Sequence, residues 1–226
     1  MFWPYFVPRA FCPWRKGLKI KGINRPLHIT FSMSNITAKC SRCGAEHSVS
    51  VPQSVNASTS PELKEKVRSG ELFTWSCPHC GTANLLKVPF LYHDPNERLM
   101  IVLTDAPMSA EGLPEGYTGR QVRSVGDLVE KIKIFDAGLD DLIIEMCKFV
   151  TCQELKKDVA LKFAGTDGAD GEMTFTYPAD GQMELVAVGF NVYEDCAGIL
   201  QRNPQIRNSV QGLACIDQAW LSRYFR

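Results

Sequence analysis

The period of the hydrophobic pattern changes along the chain, and the changes predict its elements. Residues 46–51 alternate as Glu46-His47-Ser48-Val49-Ser50-Val51, the period of two of a half-buried strand. A short helix is predicted to open at Ser60-Pro61, with Ser60 as N-cap, Pro61 in the first helical position, Leu63 and Val67 on one face and Gly70 closing it. Leu72-Phe73-Thr74-Trp75 reads as a strand, and residues 85–92 and 98–103 are two apolar runs joined by the turn Asp94-Pro95-Asn96. From residue 124 the period lengthens. Ser124 and Asp127 make a capping-box variant ahead of the stripe Val125, Leu128, Val129, Ile132 and Phe135. A second stripe of Leu139, Leu142, Ile143, Met146 and Val150 follows Gly138, so the two helices form an αα-hairpin.

Alternation then returns. Val159, Leu161 and Phe163 face one way, as do Met173, Phe175 and Tyr177, and then Leu185 and Ala187 with Phe190 or Val188. Gly- and Asp-rich turns at 165–171 and 178–181 separate them, which predicts an antiparallel meander. Asn191 with Glu194 predicts a capped helix lined by Val192, Cys196, Ile199 and Leu200. Asp217 is expected to cap a last helix whose Trp220, Leu221 and Tyr224 pack back on the body.

Composition narrows the class. The chain has 226 residues, 45% of them apolar, enough to bury a core in one large or two small domains. No apolar run approaches the roughly 18–20 residues that span a bilayer. Lys plus Arg equals Asp plus Glu at 25 each, but the balance is uneven. Residues 1–32 carry six basic residues and no acid, leaving 19 basic against 25 acidic in the remainder, a net of −6. Pro4, Pro8 and Pro13 deny this opening a helix, and its charges follow rather than precede the apolar part, so it matches neither a secretory signal nor a transit peptide. The reading preferred is an extension ahead of a true start at Met33, outside the fold. With no signal for export, a cytoplasmic protein is expected.

The candidate chemistry lies in the cysteines. Four of the nine form two matched C-x-x-C-G pairs, Cys40-Ser41-Arg42-Cys43-Gly44 and Cys77-Pro78-His79-Cys80-Gly81, with 33 residues between Cys43 and Cys77. Two intervening residues let a tight turn aim both sulfurs at one point, and the Gly takes the positive φ that other residues resist. Two such knuckles supply four thiolates to one tetrahedral metal. Cys40, Cys43, Cys77 and Cys80 are therefore the expected ligands of a Zn2+ ion, with Fe as the alternative, because the second knuckle is also similar to that of a rubredoxin. Four thiolates on a divalent ion carry −2, which Lys39, Arg42 and His79 can offset. His79 and His47 are read as non-ligands. Cys147, Cys152, Cys196 and Cys215 read as small core residues, and Cys12 belongs to the extension.

The predicted fold class is α+β: a small zinc-ribbon-like antiparallel β domain with one short helix over 33–105, a Pro/Gly-rich linker over 106–123, and an α+β domain with the αα-hairpin and meander over 124–226. Residues 36–103 resemble the CpXC domain family. The matching stretches are Ala38-Lys39-Cys40-Ser41-Arg42-Cys43-Gly44, Pro61-Glu62-Leu63-Lys64-Glu65-Lys66, Gly70-Glu71-Leu72-Phe73, Cys77-Pro78-His79-Cys80-Gly81 and Leu91-Tyr92-His93-Asp94. Ser41 stands where Pro is frequent in the family. The resemblance implies a metal-binding, bacterial-type protein and does not extend to an activity.

Two other groups are weaker candidates. His93-Asp94 can polarise a water or bind a second metal, but the preferred reading is a turn begun by Asp94 with His93 at a strand end, because no nucleophile or further ligand lies nearby in sequence. Asp136, Asp140, Asp141 and Glu145 cluster at the αα-hairpin, where Asp141 and Glu145 share a helix face and can hold a cation or act as an acid/base pair; a solvated cluster favoured by the helix dipole is the plainer reading. No phosphate loop, zinc-protease helix, nucleophile elbow or dinucleotide fingerprint is present. The leading expectation is a structural metal site in a protein-interaction module. Nucleic-acid binding through Lys39, Arg42, Lys64, Lys66, Arg68 and Lys87 is disfavoured by the acidic body. An enzyme with its site in the second half is the remaining alternative.

Overall fold

The computed structural model describes residues 33–108, 113–167 and 171–225. The basic extension 1–32, with Cys12, lies outside the described residues. The fold is α+β. Strands β1 (Met33–Lys39) and β2 (Glu46–Pro52) form an antiparallel hairpin, followed by β3 (Ser54–Asn56), helix α1 (Pro61–Arg68) and a single 3-10 turn (Glu71–Phe73). A second small hairpin pairs β4 (Thr74–Ser76) with β5 (Ala83–Leu85). Strands β6 (Phe90–Asp94), β7 (Leu99–Leu103) and β8 (Thr118–Val122) lead to the helices α2 (Val125–Asp136) and α3 (Asp141–Leu155). The meander is β9 (Lys162–Asp167), β10 (Glu172–Ala179) and β11 (Gln182–Gly189). Helices α4 (Phe190–Arg202) and α5 (Pro204–Asn208), strand β12 (Leu213–Ala214) and helix α6 (Gln218–Leu221) complete it.

A five-stranded sheet in the order β12-β8-β7-β6-β3 occupies the middle. Strands β6 and β7 are buried at every position, which explains why they read as continuous apolar runs rather than alternating ones. One face packs Val55, Phe90, Tyr92 and Ile101 against Val67 of α1 and Leu128 and Ile132 of α2. Leu91, Met100, Val102 and Leu213 form a smaller core on the other. Each such side chain contributes about 1.5–3 kcal/mol when fully buried. A third core joins α3, α4 and α6 to the inward residues Phe163, Met173, Phe175 and Tyr177 of the meander.

Several expectations need correction. The stretch 106–123 is not wholly linker: β8 lies within it and pairs in parallel with β7. Its Gly and Pro residues flank the strand, and Gly119 sits inside it for steric reasons, because a Cβ there would lie 2.6 Å from the Gly212 carbonyl oxygen. The sheet thus runs across the boundary expected at 105, and it is mixed rather than antiparallel, with β3 parallel to β6 and β12 parallel to β8. The inward residues of β11 are Val186 and Val188, whereas Leu185 is 70% exposed, a shift of one position that the period of two turns into a change of face. Ser60 occupies the N-cap of α1 without a side-chain hydrogen bond, and α4 starts at Phe190 after Gly189, so Asn191 is not its cap. The capping box of Ser124 with Asp127 is present, and Asp140 and Asp217 cap α3 and α6.

A buried ionic network ties the sheet, the helix hairpin and the meander together. Arg120 of β8 makes two hydrogen bonds of 2.8 Å to the Asp141 carboxylate, and Lys131 of α2 donates a third at 2.8 Å. Lys148 of α3 lies 3.1 Å from Glu130 and 2.9 Å from Glu145. Glu130 also pairs with Lys162 at 3.0 Å and accepts from the Phe163 backbone N–H at 2.9 Å, while Lys162 reaches Asp127. Burial alone would raise the Asp141 carboxyl. The Lys131 charge and the Arg120 guanidinium overcome it and hold the group well below the usual carboxylate range.

Two outcomes are expected in denaturant unfolding. Asp141→Asn, which strands two buried cations, should cost about 3–5 kcal/mol. Because the folded carboxyl titrates below the unfolded one, its stabilisation is present at neutral pH, begins to be lost as pH falls below about 4 and is gone only once pH passes the lower folded value, so the variant should lose stability less steeply over that acidic range than the wild type. Gly119→Ala should cost about 1–3 kcal/mol by forcing β12 from β8.

Candidate metal centre

Each cysteine pair sits on a tight turn at the tip of its own hairpin, and the two turns repeat the same bonds. The Cys40 N–H donates to the Ala45 carbonyl at 2.9 Å and Gly44 N–H to the Cys40 carbonyl at 3.0 Å. In the second, Cys77 N–H donates to the Thr82 carbonyl at 2.9 Å and Gly81 N–H to the Cys77 carbonyl at 2.8 Å. Gly44 and Gly81 have φ of 72° and 69°, the left-handed conformation that closes each turn. The hairpins pack through Val51, Trp75 and Leu86, with Ile36, Val49 and Val88 at the margin. A core this small leaves the relative placement of the knuckles to whatever joins their tips.

The four sulfurs converge there. Cys40 and Cys80 Sγ are 3.5 Å apart, Cys43 and Cys77 Sγ 3.7 Å, and all four lie within 4.8 Å of one another. Four sulfurs about 2.3 Å from a central ion would have tetrahedral edges of about 3.8 Å. The same separations are far beyond the roughly 2.05 Å of a disulfide, and all four cysteines are free. The donor set fits a soft, thiophilic divalent ion.

Electrostatics favours a cation at the centre. The Cys43 backbone N–H and Cys80 pull the Cys40 thiol down to about 6, against the cost of burial. Thr82 lowers Cys80. Cys43 moves the other way, to about 12: the Ala45 N–H opposes the rise, but burial and the three neighbouring sulfurs outweigh it. Crowded thiols do not all ionise together unless a cation offsets their charge.

Asn84 of β5 was not legible in the sequence. Its Oδ1 accepts from the Ser41 N–H and the Ser41 hydroxyl at 2.8 Å each, and its Nδ2 donates to the Thr82 carbonyl at 2.8 Å and toward Cys40 Sγ at 3.7 Å. One buried amide therefore staples both knuckles. His47 Nε2 lies 3.6 Å from Cys77 Sγ and the ring packs on Trp75, so His47 sits beside the cluster. The cluster brings together Cys40, Cys43, Cys77 and Cys80 and no histidine.

The other candidates do not converge on this centre. His93 and Asp94 leave β6 on opposite faces, as adjacent strand residues must. Asp94 accepts from Lys64 and Tyr92 at 3.2 Å each and from the Asn96 N–H at 3.2 Å, so it organises the turn and anchors α1. His93 contacts the Tyr117 hydroxyl at 3.3 Å; burial lowers its pKa, and Nδ1 is buried without a partner. The 136–145 acids divide. Asp136 pairs with Lys64, and Asp140 with Arg207, at half-buried or exposed positions. Asp141 and Glu145 are 1% and 2% exposed and matched to basic residues, which corrects both the solvated and the cation-binding readings for that pair. Among the remaining cysteines, Cys147 and Cys196 are buried as read, and Cys152 and Cys215 are half-buried.

Among the described residues, no helix is long and apolar enough to cross a membrane. No curated protein and no solved structure matches the chain. A family model described as CpXC protein matches residues 38–148, from the strand before the first knuckle into α3. Both knuckles, four of the five strands of the central sheet and the α2–α3 junction lie inside that span, so this segment of the chain is similar to the CpXC family.

Proposed function

We propose that Cys40, Cys43, Cys77 and Cys80 hold one Zn2+ in a closed structural site, and that the protein is a protein-interaction module. The convergence of four sulfurs within 4.8 Å carries the reading. Four protein thiolates would leave no coordination position for a substrate, so the bound ion would contribute stability and shape rather than reaction chemistry. Zinc is preferred to iron because the site is presented by two hairpins on a larger acidic body that electron transfer does not need.

Protein binding is preferred to nucleic-acid binding on the disposition of charge. Of the six basic residues that drew attention, Lys64, Lys66, Arg68 and Lys87 are each paired with acids. The partner surface supported best is the edge strand β11, which presents Met183 and Leu185 at 62% and 70% exposure. A partner supplying an extended segment would pair with that edge and cover both side chains.

Purified protein should be colourless and carry one zinc per chain by elemental mass spectrometry; red protein that bleaches on reduction would replace zinc by iron. Asn84→Ala should weaken metal retention against a chromophoric chelator by about 10–100-fold. A photocrosslinker at Leu185 in cells should give a discrete protein adduct that Met183→Asp abolishes and Leu85→Asp does not. Adducts insensitive to Met183→Asp would move the interface elsewhere.

A further inference from the structure

Between α2, α3 and β9 lies a narrow cavity of about 50 Å³ lined by Asp127, Glu130, Lys131, Glu145, Lys148 and Lys162. That is room for a few waters or one small oxyanion. Not all of its lysine N–H bonds are used by the acids around them. The three ammonium groups offer nine N–H bonds, and five go to carboxylates: one from Lys131 to Asp141, two from Lys148 to Glu130 and Glu145, two from Lys162 to Asp127 and Glu130. On the acceptor side, Glu145 Oε1 is buried and has no partner. The four lysine N–H bonds left over call for a guest that accepts hydrogen bonds, which a metal cation or an ammonium group does not. We propose that this cavity binds a small oxyanion, a carboxylate or phosphate group, between Lys131, Lys148 and Lys162, with Glu145 Oε1 donating a hydrogen bond to it.

The protonation this requires has a physical cause. Burial raises the Glu145 carboxyl; Lys148 and Lys131 oppose the rise, and the nearby Glu130 charge adds to it. With Glu145 neutral, Arg120, Lys131, Lys148 and Lys162 outnumber Asp127, Glu130 and Asp141 by one charge. Arg123, Cys215 and Asp217 complete the wall. The opposite charges of Arg123 and Asp217 offset each other and leave that excess of one positive charge in place.

The test uses the full-length, metal-loaded chain at low ionic strength, titrated calorimetrically with inorganic phosphate, sulfate and acetate against a chloride control. One anion per chain is expected, with phosphate and acetate distinguishing the two headgroup chemistries by affinity. Sulfate does not titrate near neutrality, so it reports the site alone. Its affinity should fall about tenfold per pH unit once Glu145 ionises. Glu145→Gln, which keeps a donor, should retain sulfate and lose that pH dependence. Arg123→Gln, outside the buried network, should weaken binding several-fold. No saturable uptake beyond that of chloride, or an unchanged pH profile in Glu145→Gln, would overturn the proposal and leave the network purely structural.

Discussion

Charges can be taken out of water only together, and that constraint organises this protein. Arg120, Glu130, Lys131, Asp141 and Lys148 are all buried at 6% exposure or less. An unpaired buried charge costs several kcal/mol, so each must find its partner before the layers can close. The pairs span elements distant in sequence: Arg120 on β8 with Asp141 on α3, Glu130 on α2 with Lys162 on β9. Helix α2 stands between the central sheet and the meander, contributing Leu128 and Ile132 to one core and Ile134 to another, and its polar face carries the ions that set its rotation. Hydrophobic area gives these layers their affinity for one another. The ion pairs give them one register.

The metal-site hairpins obey the opposite economy. Their core is small, and their thiols repel one another when ionised, so the fold there is completed by a cation rather than by protein side chains. Asn84 spans the two knuckles and ties the first turn to the second through Ser41 and Thr82. A chain can carry both solutions because the hairpins, which lead into β3 and β6, contribute no residue to the ionic network.

What could be read from sequence was local. The knuckles were legible because two residues and a glycine define the turn, and the helix caps at Ser124 and Asp217 because a cap binds an amide three residues on. The acids at 136–145 stand out in the sequence, but the partner of Asp141 on β8 lies 21 residues away and that of Asp140 lies 67 away, and no local pattern announces Arg120, Lys131 or Arg207. Strand β8 was hidden by the glycines and prolines around it. The third meander strand was recognised and turned to the wrong face, because Leu185 and Val186 are both apolar and alternation alone does not choose between them.

Both unusual features fall within residues 38–148, the span of the family match, which ends at Lys148, the residue that holds Glu130 and Glu145. The meander supplies Lys162 and the Phe163 amide from outside it, closing the network on Glu130. The C-terminal part is therefore not an independent appendage. It neutralises charge that the family segment would otherwise leave buried and incomplete, and it walls the cavity that Glu145 lines. A chain ending at Lys148 would keep both knuckles and leave Glu130 with Lys148 but without Lys162 and the Phe163 amide, so the metal centre and the ionic core depend on different lengths of the same sequence.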